Sequence, residues 1–154
     1  MPTMRFNHME LTFPRGTLDP AFRKEVADFY GDVFGWTASD VEVVGQNCLY
    51  LQVDEGQFLL LAESDKPLQS PGYDHLGLLL DTRAEVDDML AKIQERAATD
   101  DRIRIKNYDD LVQGRVRVRA FYVKYLLPIY FDVQCLEYAD GTGPAHRWTF
   151  APAD

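Results

Sequence analysis

One order of segments runs through this chain twice, and such a duplication limits the possible folds more than any single motif does. Residues Arg5 to Phe13 alternate, with Phe6, His8, Glu10 and Thr12 on one side and Asn7, Met9, Leu11 and Phe13 on the other. That is the period of a strand with one apolar face. Pro14, Gly16 and Asp19-Pro20 break it; Asp19 suits an N-cap and Pro20 the first helical position. Phe22, Val26, Phe29 and Val33 follow at near-helical spacing, and Gly35 supplies the stop. Val41 to Val44, Asn47 to Val53 and Gln57 to Ala62 read as three strands, the last two joined by a turn at Asp54-Glu55-Gly56. After a polar stretch the order recurs. Tyr73 to Leu80 is a strand, and Thr82-x-x-Glu85 is a capping box opening a helix to about Ala98. Ile103 to Ile105, Val116 to Lys124 and Ile129 to Tyr138 are the closing strands. The chain therefore predicts an α+β fold of two βαβββ modules, about 5–63 and 73–138, with a linker over 64–72 and an irregular tail over 139–154.

The length of 154 residues fits one domain built from two halves with a common core. With 16 Lys and Arg against 25 Asp and Glu, the net charge of -9 repels polyanions and argues against a nucleic-acid partner. No apolar run reaches the roughly 18–20 residues that span a bilayer, and Met1 to Arg5 leads straight into a strand pattern, so no membrane association and no signal peptide are expected. Cys48 and Cys135 lie in apolar strand-like runs and read as buried thiols, which places the protein in the reducing cytoplasm. Arg115, Arg117 and Arg119 share one face of a strand and read as a solvated edge.

The helices account for the apolar strand faces; the opposite faces need another explanation. Of three histidines, His8 and His75 occupy the same place in the two repeats, within Phe6-Asn7-His8-Met9 and Tyr73-Asp74-His75-Leu76. His146 falls in the tail and reads as surface. In the last strand Phe131, Val133 and Cys135 belong to the apolar face, so Asp132 points to the histidine side and Glu137 does not. Two neutral imidazoles and one carboxylate suit a divalent transition metal with open positions for water, substrate or O₂. Trp36, Tyr50, Phe58 and Tyr130 are candidates for a pocket lining, divided between pocket and core.

The paired His-bearing strands, the segment Phe29-Tyr30-Gly31-Asp32-Val33-Phe34-Gly35-Trp36 and the closing hairpin resemble the vicinal oxygen chelate superfamily of glyoxalases, extradiol dioxygenases and bleomycin-resistance proteins. The resemblance runs from about Phe6 to Tyr138, with Asp132-Val133-Gln134 standing where many members have Glu-Leu-Gln. It implies a cup around a metal held by His8, His75 and Asp132, completed by dimerisation or by pairing modules within the chain; the apolar content suits a homodimer. Tyr122, ten residues before the carboxylate, matches a tyrosine of the extradiol dioxygenases. Those enzymes favour Fe(II), with Mn, Ni or Zn as other divalent ions for such a site. Glu10, Lys124 and Tyr108 are candidates for an acid or base, Glu10 lying two residues from His8 on its face. The position of a fourth ligand in glyoxalase-type members falls on Leu60, which cannot bind metal. The functions implied are a metal-dependent enzyme acting on a small substrate with vicinal oxygens, most similar to a dioxygenase; a glyoxalase-like lyase or isomerase; or a metal-free protein that sequesters a small molecule.

Overall fold

The helices form where the sequence carries their signals. Asp19 accepts the N–H of Phe22, Pro20 opens α1 (Pro20–Phe34), and Gly35 closes it in the left-handed region at φ 72°. A non-glycine residue there would be strained. Thr82 and Glu85 form the reciprocal capping box of α2 (Arg83–Ala97).

The computed structural model describes residues 4–140, 142 and 143. Around the two helices run β1 (His8–Phe13), β2 (Thr37–Val43), β3 (Gln46–Asp54), β4 (Gln57–Glu63), β5 (His75–Leu79), β6 (Arg104–Asn107), β7 (Leu111–Gln113), β8 (Val116–Lys124) and β9 (Tyr130–Tyr138). The first sheet has the order β1-β4-β3-β2 and the second β5-β9-β8-β6, with β7 also on β8. In each, the opening strand lies parallel to the closing strand, and the other pairs are antiparallel. This is the α+β fold of two βαβββ units that the duplication predicts. Two elements differ from the sequence reading. β2 begins at Thr37 and β7 is an additional strand. Thr37-Ala-Ser-Asp is mostly polar on an outer strand, and Leu111, Val112 and Gln113 are all exposed, so backbone pairing defines both stretches and no hydrophobic period marks them.

The core explains how the two units are held. Leu11, Leu51, Leu59 and Leu61 from the first sheet, Val26 and Tyr30 from α1, Val86 and Ile93 from α2, and Phe121 and Phe131 from the second sheet are fully buried members of one cluster. Phe131 packs edge-on against Tyr30 and Trp36, and the Tyr30 hydroxyl donates to the Tyr125 carbonyl at 2.7 Å. Both sheets thus turn their helix-packed faces inward to a shared core. The faces carrying His8 and His75 turn away from it.

The arginine strand corrects the sequence expectation. Arg119 is paired with Cys135 in the ladder and so lies on the helix side, where it is buried and donates to Asp87 of α2 and to Asn107. Arg117 shares that face and stands 4.0 Å from Asp110. A residue that alternates with valine can occupy either face; here the valines face outward. Cys48 and Cys135 are buried free thiols. Among the described residues no helix is long and apolar enough to cross a membrane, and His146 lies outside those residues.

Candidate functional site

The outward face of the second sheet gathers most of the chemistry. In register across the strands, His75 pairs with Tyr130, Gly77 with Asp132, and Tyr122 with Asp132 from the other side. Paired residues share a face, so His75, Tyr122, Tyr130 and Asp132 converge. His75 Nε2 stands 4.0 Å from Asp132 Oδ2 and 3.4 Å from the Tyr122 hydroxyl. His75 Nδ1 lies 2.8 Å from the Tyr73 carbonyl, which can only accept. Nδ1 therefore carries a proton, and in the neutral ring Nε2 presents its lone pair toward Asp132 and the Tyr122 hydroxyl. Asp132 is buried, and its Oδ1 has no hydrogen-bond partner among the described residues. Burial pushes its carboxyl above the usual range, partly offset by His75. Burial, then the Asp132 charge, raises the Tyr122 phenol, which stays protonated and able to donate. Tyr73 and Tyr108 close the aromatic ring around this group, their centroids 6.4 and 5.1 Å from that of Tyr122.

His8 is arranged in the same manner on the other sheet. Its Nδ1 lies 2.7 Å from Asn7 Oδ1, which leaves Nε2 facing out, and its ring stacks on Phe58 at 4.7 Å, with Tyr50 stacked beyond. The ladder aligns His8 with Phe58 and Glu10 with Leu60, as it aligns His75 with Tyr130 and Gly77 with Asp132. Leu60 is thus the counterpart of Asp132 in the repeat. Glu10 is exposed on the His8 face and stays with that histidine. One chain brings His75, Asp132 and Tyr122 together and leaves His8 and Glu10 apart; among the described residues no three His, Cys, Asp or Glu side chains stand close enough to hold a metal ion. Glu137, as its register predicts, leaves the histidine side and pairs with Arg83 of α2 at 2.8 Å.

Between the free edges of β1 and β5 opens a cavity of about 770 Å³ whose walls include His8, Phe58, Trp36, Leu78 and Met89. Trp36 serves both core and cavity, Phe58 the cavity wall, and Tyr130 the second sheet's tyrosine cluster.

The model of the Glyoxalase/Bleomycin resistance protein/Dioxygenase superfamily matches residues 24–122, well over half of the chain. The chain belongs to this superfamily. The matched span contains His75 and ends at Tyr122, so His8 and Asp132 lie outside it. No curated protein matches the chain in sequence. Among solved structures, it is similar to a possible glyoxalase from Bacillus cereus, with 20% identity, a TM-score of 0.58, and 86% of this chain and 100% of that one covered. It is also similar to a mutant of the fosfomycin resistance protein FosX from Listeria monocytogenes complexed with Mn(II) and a dihydroxypropylphosphonic acid. There the identity is 15%, the TM-score 0.57, and the coverage 86% and 92%. A third is the oxidase ChaP-H2, at 15% identity and a TM-score of 0.55, covering 93% of this chain and 100% of that one. At these identities the likeness is one of fold.

Proposed function

We propose that this superfamily member is a metal-dependent enzyme that takes a small substrate through two adjacent oxygens, with dioxygenase-like chemistry, and that two copies of the chain complete each site. The observation that carries the reading is the buried Asp132 Oδ1, without a hydrogen-bond partner among the described residues, beside the outward Nε2 of His75. A buried carboxylate oxygen without a donor costs about 1–3 kcal/mol or more, and a cation between Asp132 and His75 relieves that cost. The residues fit the group: His75 and Asp132 from one copy and His8 from the other would hold a divalent ion, Fe(II) by preference, with Mn, Ni or Zn also suited to this donor set. When bound, such an ion supplies Lewis-acid activation of the chelated oxygens and, as iron, access to O₂.

The second copy follows from the direction of the two histidine faces. Both turn away from the shared core, and among the described residues β1 and β5 each have one edge that no strand pairs, with only Leu68 N–H bonded to Thr12 at the end of β1. Free edges pair readily with another chain, and bringing β1 of one copy to β5 of the other sets His8 opposite His75. In that arrangement Tyr122 donates to a substrate oxygen beside His75, and Glu10 arrives with His8 as a base at the mouth of the cup. The Mn(II)-bearing FosX neighbour supports the metal. Leu60 at the fourth-ligand position weighs against a glyoxalase-like lyase or isomerase. A second reading, sequestration of a small molecule without metal, draws on the cavity, whose volume suits a drug-sized ligand.

Metal analysis of untagged protein after reconstitution with each ion decides between the two readings. The enzyme reading predicts about one equivalent per chain, lost in His75→Ala and Asp132→Ala and kept in Glu137→Gln. Protein that takes up none of the four ions is the sequestering protein.

A further inference from the structure

Arg104, Lys106 and Lys124 stand together on the tyrosine side of the second sheet. Arg104 pairs with Lys124 and Lys106 with Tyr122 in the β6–β8 ladder. Eight other cationic side chains reach an Asp or Glu within 4.0 Å. None of these three does among the described residues, in a chain with nine more acidic than basic residues. The Lys106 ammonium is held over the rings of Tyr73 and Tyr108, at 4.2 and 4.9 Å, and Lys124 donates to the Ser70 carbonyl. Asp74 accepts from the Ser70 hydroxyl at 3.0 Å and acts on Lys124 only from beyond ion-pair distance, and Asp132 faces His75. Positive charge with no carboxylate in contact among the described residues, in an acidic chain and held by aromatic rings beside a candidate site, is the arrangement an anion would complete.

We propose that Arg104, Lys106 and Lys124 seat an anionic group of the substrate. This rests on the metal-site reading for the substrate's other end and names the class of molecule: an acid with two neighbouring oxygens at His75 and Asp132, a flat body over Tyr122 and Tyr130, and a carboxylate or phosphoryl group at the β6 end. Lys106 and Asp132 flank Tyr122 in one row, two strands apart, so the two ends are separated by about 10 Å of backbone spacing. Long lysine side chains shorten the gap to that of a substituted single ring.

Calorimetric titrations test the seat with and without metal. Metal-free protein is titrated with benzoate, inorganic phosphate and benzyl alcohol; metal-loaded protein is titrated with 3,4-dihydroxybenzoate and catechol. The seat predicts that benzoate or phosphate binds at least about tenfold tighter than benzyl alcohol, as charge-assisted hydrogen bonds require. It predicts the same preference for 3,4-dihydroxybenzoate over catechol, abolished in Lys106→Gln/Lys124→Gln and kept in Lys92→Gln on α2. The better of benzoate and phosphate identifies the anion's chemistry. Equal or undetectable binding of anionic and neutral probes by the unmodified protein overturns the seat, as does a preference that survives the double substitution. An anion preference without metal uptake overturns the metal reading alone, and metal uptake without the preference overturns the seat alone.

Discussion

The Asp132 carboxylate has one oxygen within 3.4 Å of the Gln134 amide, while the other is buried with no donor among the described residues. Evolution for stability alone would not keep such a group. Asp132→Asn removes the buried charge and is expected to raise the stability of the metal-free protein by on the order of 1 kcal/mol in urea unfolding. The same change is expected to lower metal affinity by more than about tenfold. A loss of stability on that substitution would assign Asp132 a structural role. The alternation of Phe131, Val133 and Cys135 made the direction of Asp132 legible in the sequence, because a buried strand face fixes register. The role of the cations was not legible. Arg115, Arg117 and Arg119 drew attention by their spacing, yet Arg119 lies under α2, and Arg104, Lys106 and Lys124 come from two strands that only tertiary pairing brings side by side.

Elements are tied to one another by an ion cluster at the end of β8. Arg102 binds Glu25 of α1 and Asp100 before β6, and the Tyr125 hydroxyl donates to Asp100 at 2.7 Å and stands 3.1 Å from Glu25. Arg102, with Tyr125 assisting, holds both carboxyls below their usual range. Lowered folded values mean that this contribution is present above the ordinary carboxylate range and lost as pH falls through it. Arg102→Gln is therefore expected to lower the melting temperature at neutral pH, with the difference from the unmodified protein shrinking below about pH 4. A gap that persists unchanged in acid would locate the effect in packing. At the other helix, Thr82→Ala removes the cap that accepts the Glu85 N–H and is expected to cost about 1 kcal/mol, read from thermal unfolding. Both helix starts were legible because capping is local chemistry. β7 was not, since three exposed residues leave no period to read and their strand exists only through β8.

At the scale of the molecule, one core joins two duplicated units whose histidine faces look outward. Phe131 packs on Tyr30 and Trp36 from the other unit, so Phe131→Ala is expected to cost about 3–5 kcal/mol and to weaken both units in a single transition by circular dichroism and tryptophan fluorescence. Two separated transitions would show that the units fold independently. The duplication predicted the fold, but no single sequence reveals which copy of a module faces which. The most direct test of a site shared between two chains is metal binding by mixed variants. His8→Ala and His75→Ala proteins, each unable to bind metal alone, are unfolded together, refolded as a mixture and titrated with the ion. Hybrid dimers carry one intact His8–His75–Asp132 set, so the account predicts recovered binding at about one equivalent per hybrid. A mixture that stays as inert as its components, although its chains exchange, would contradict it.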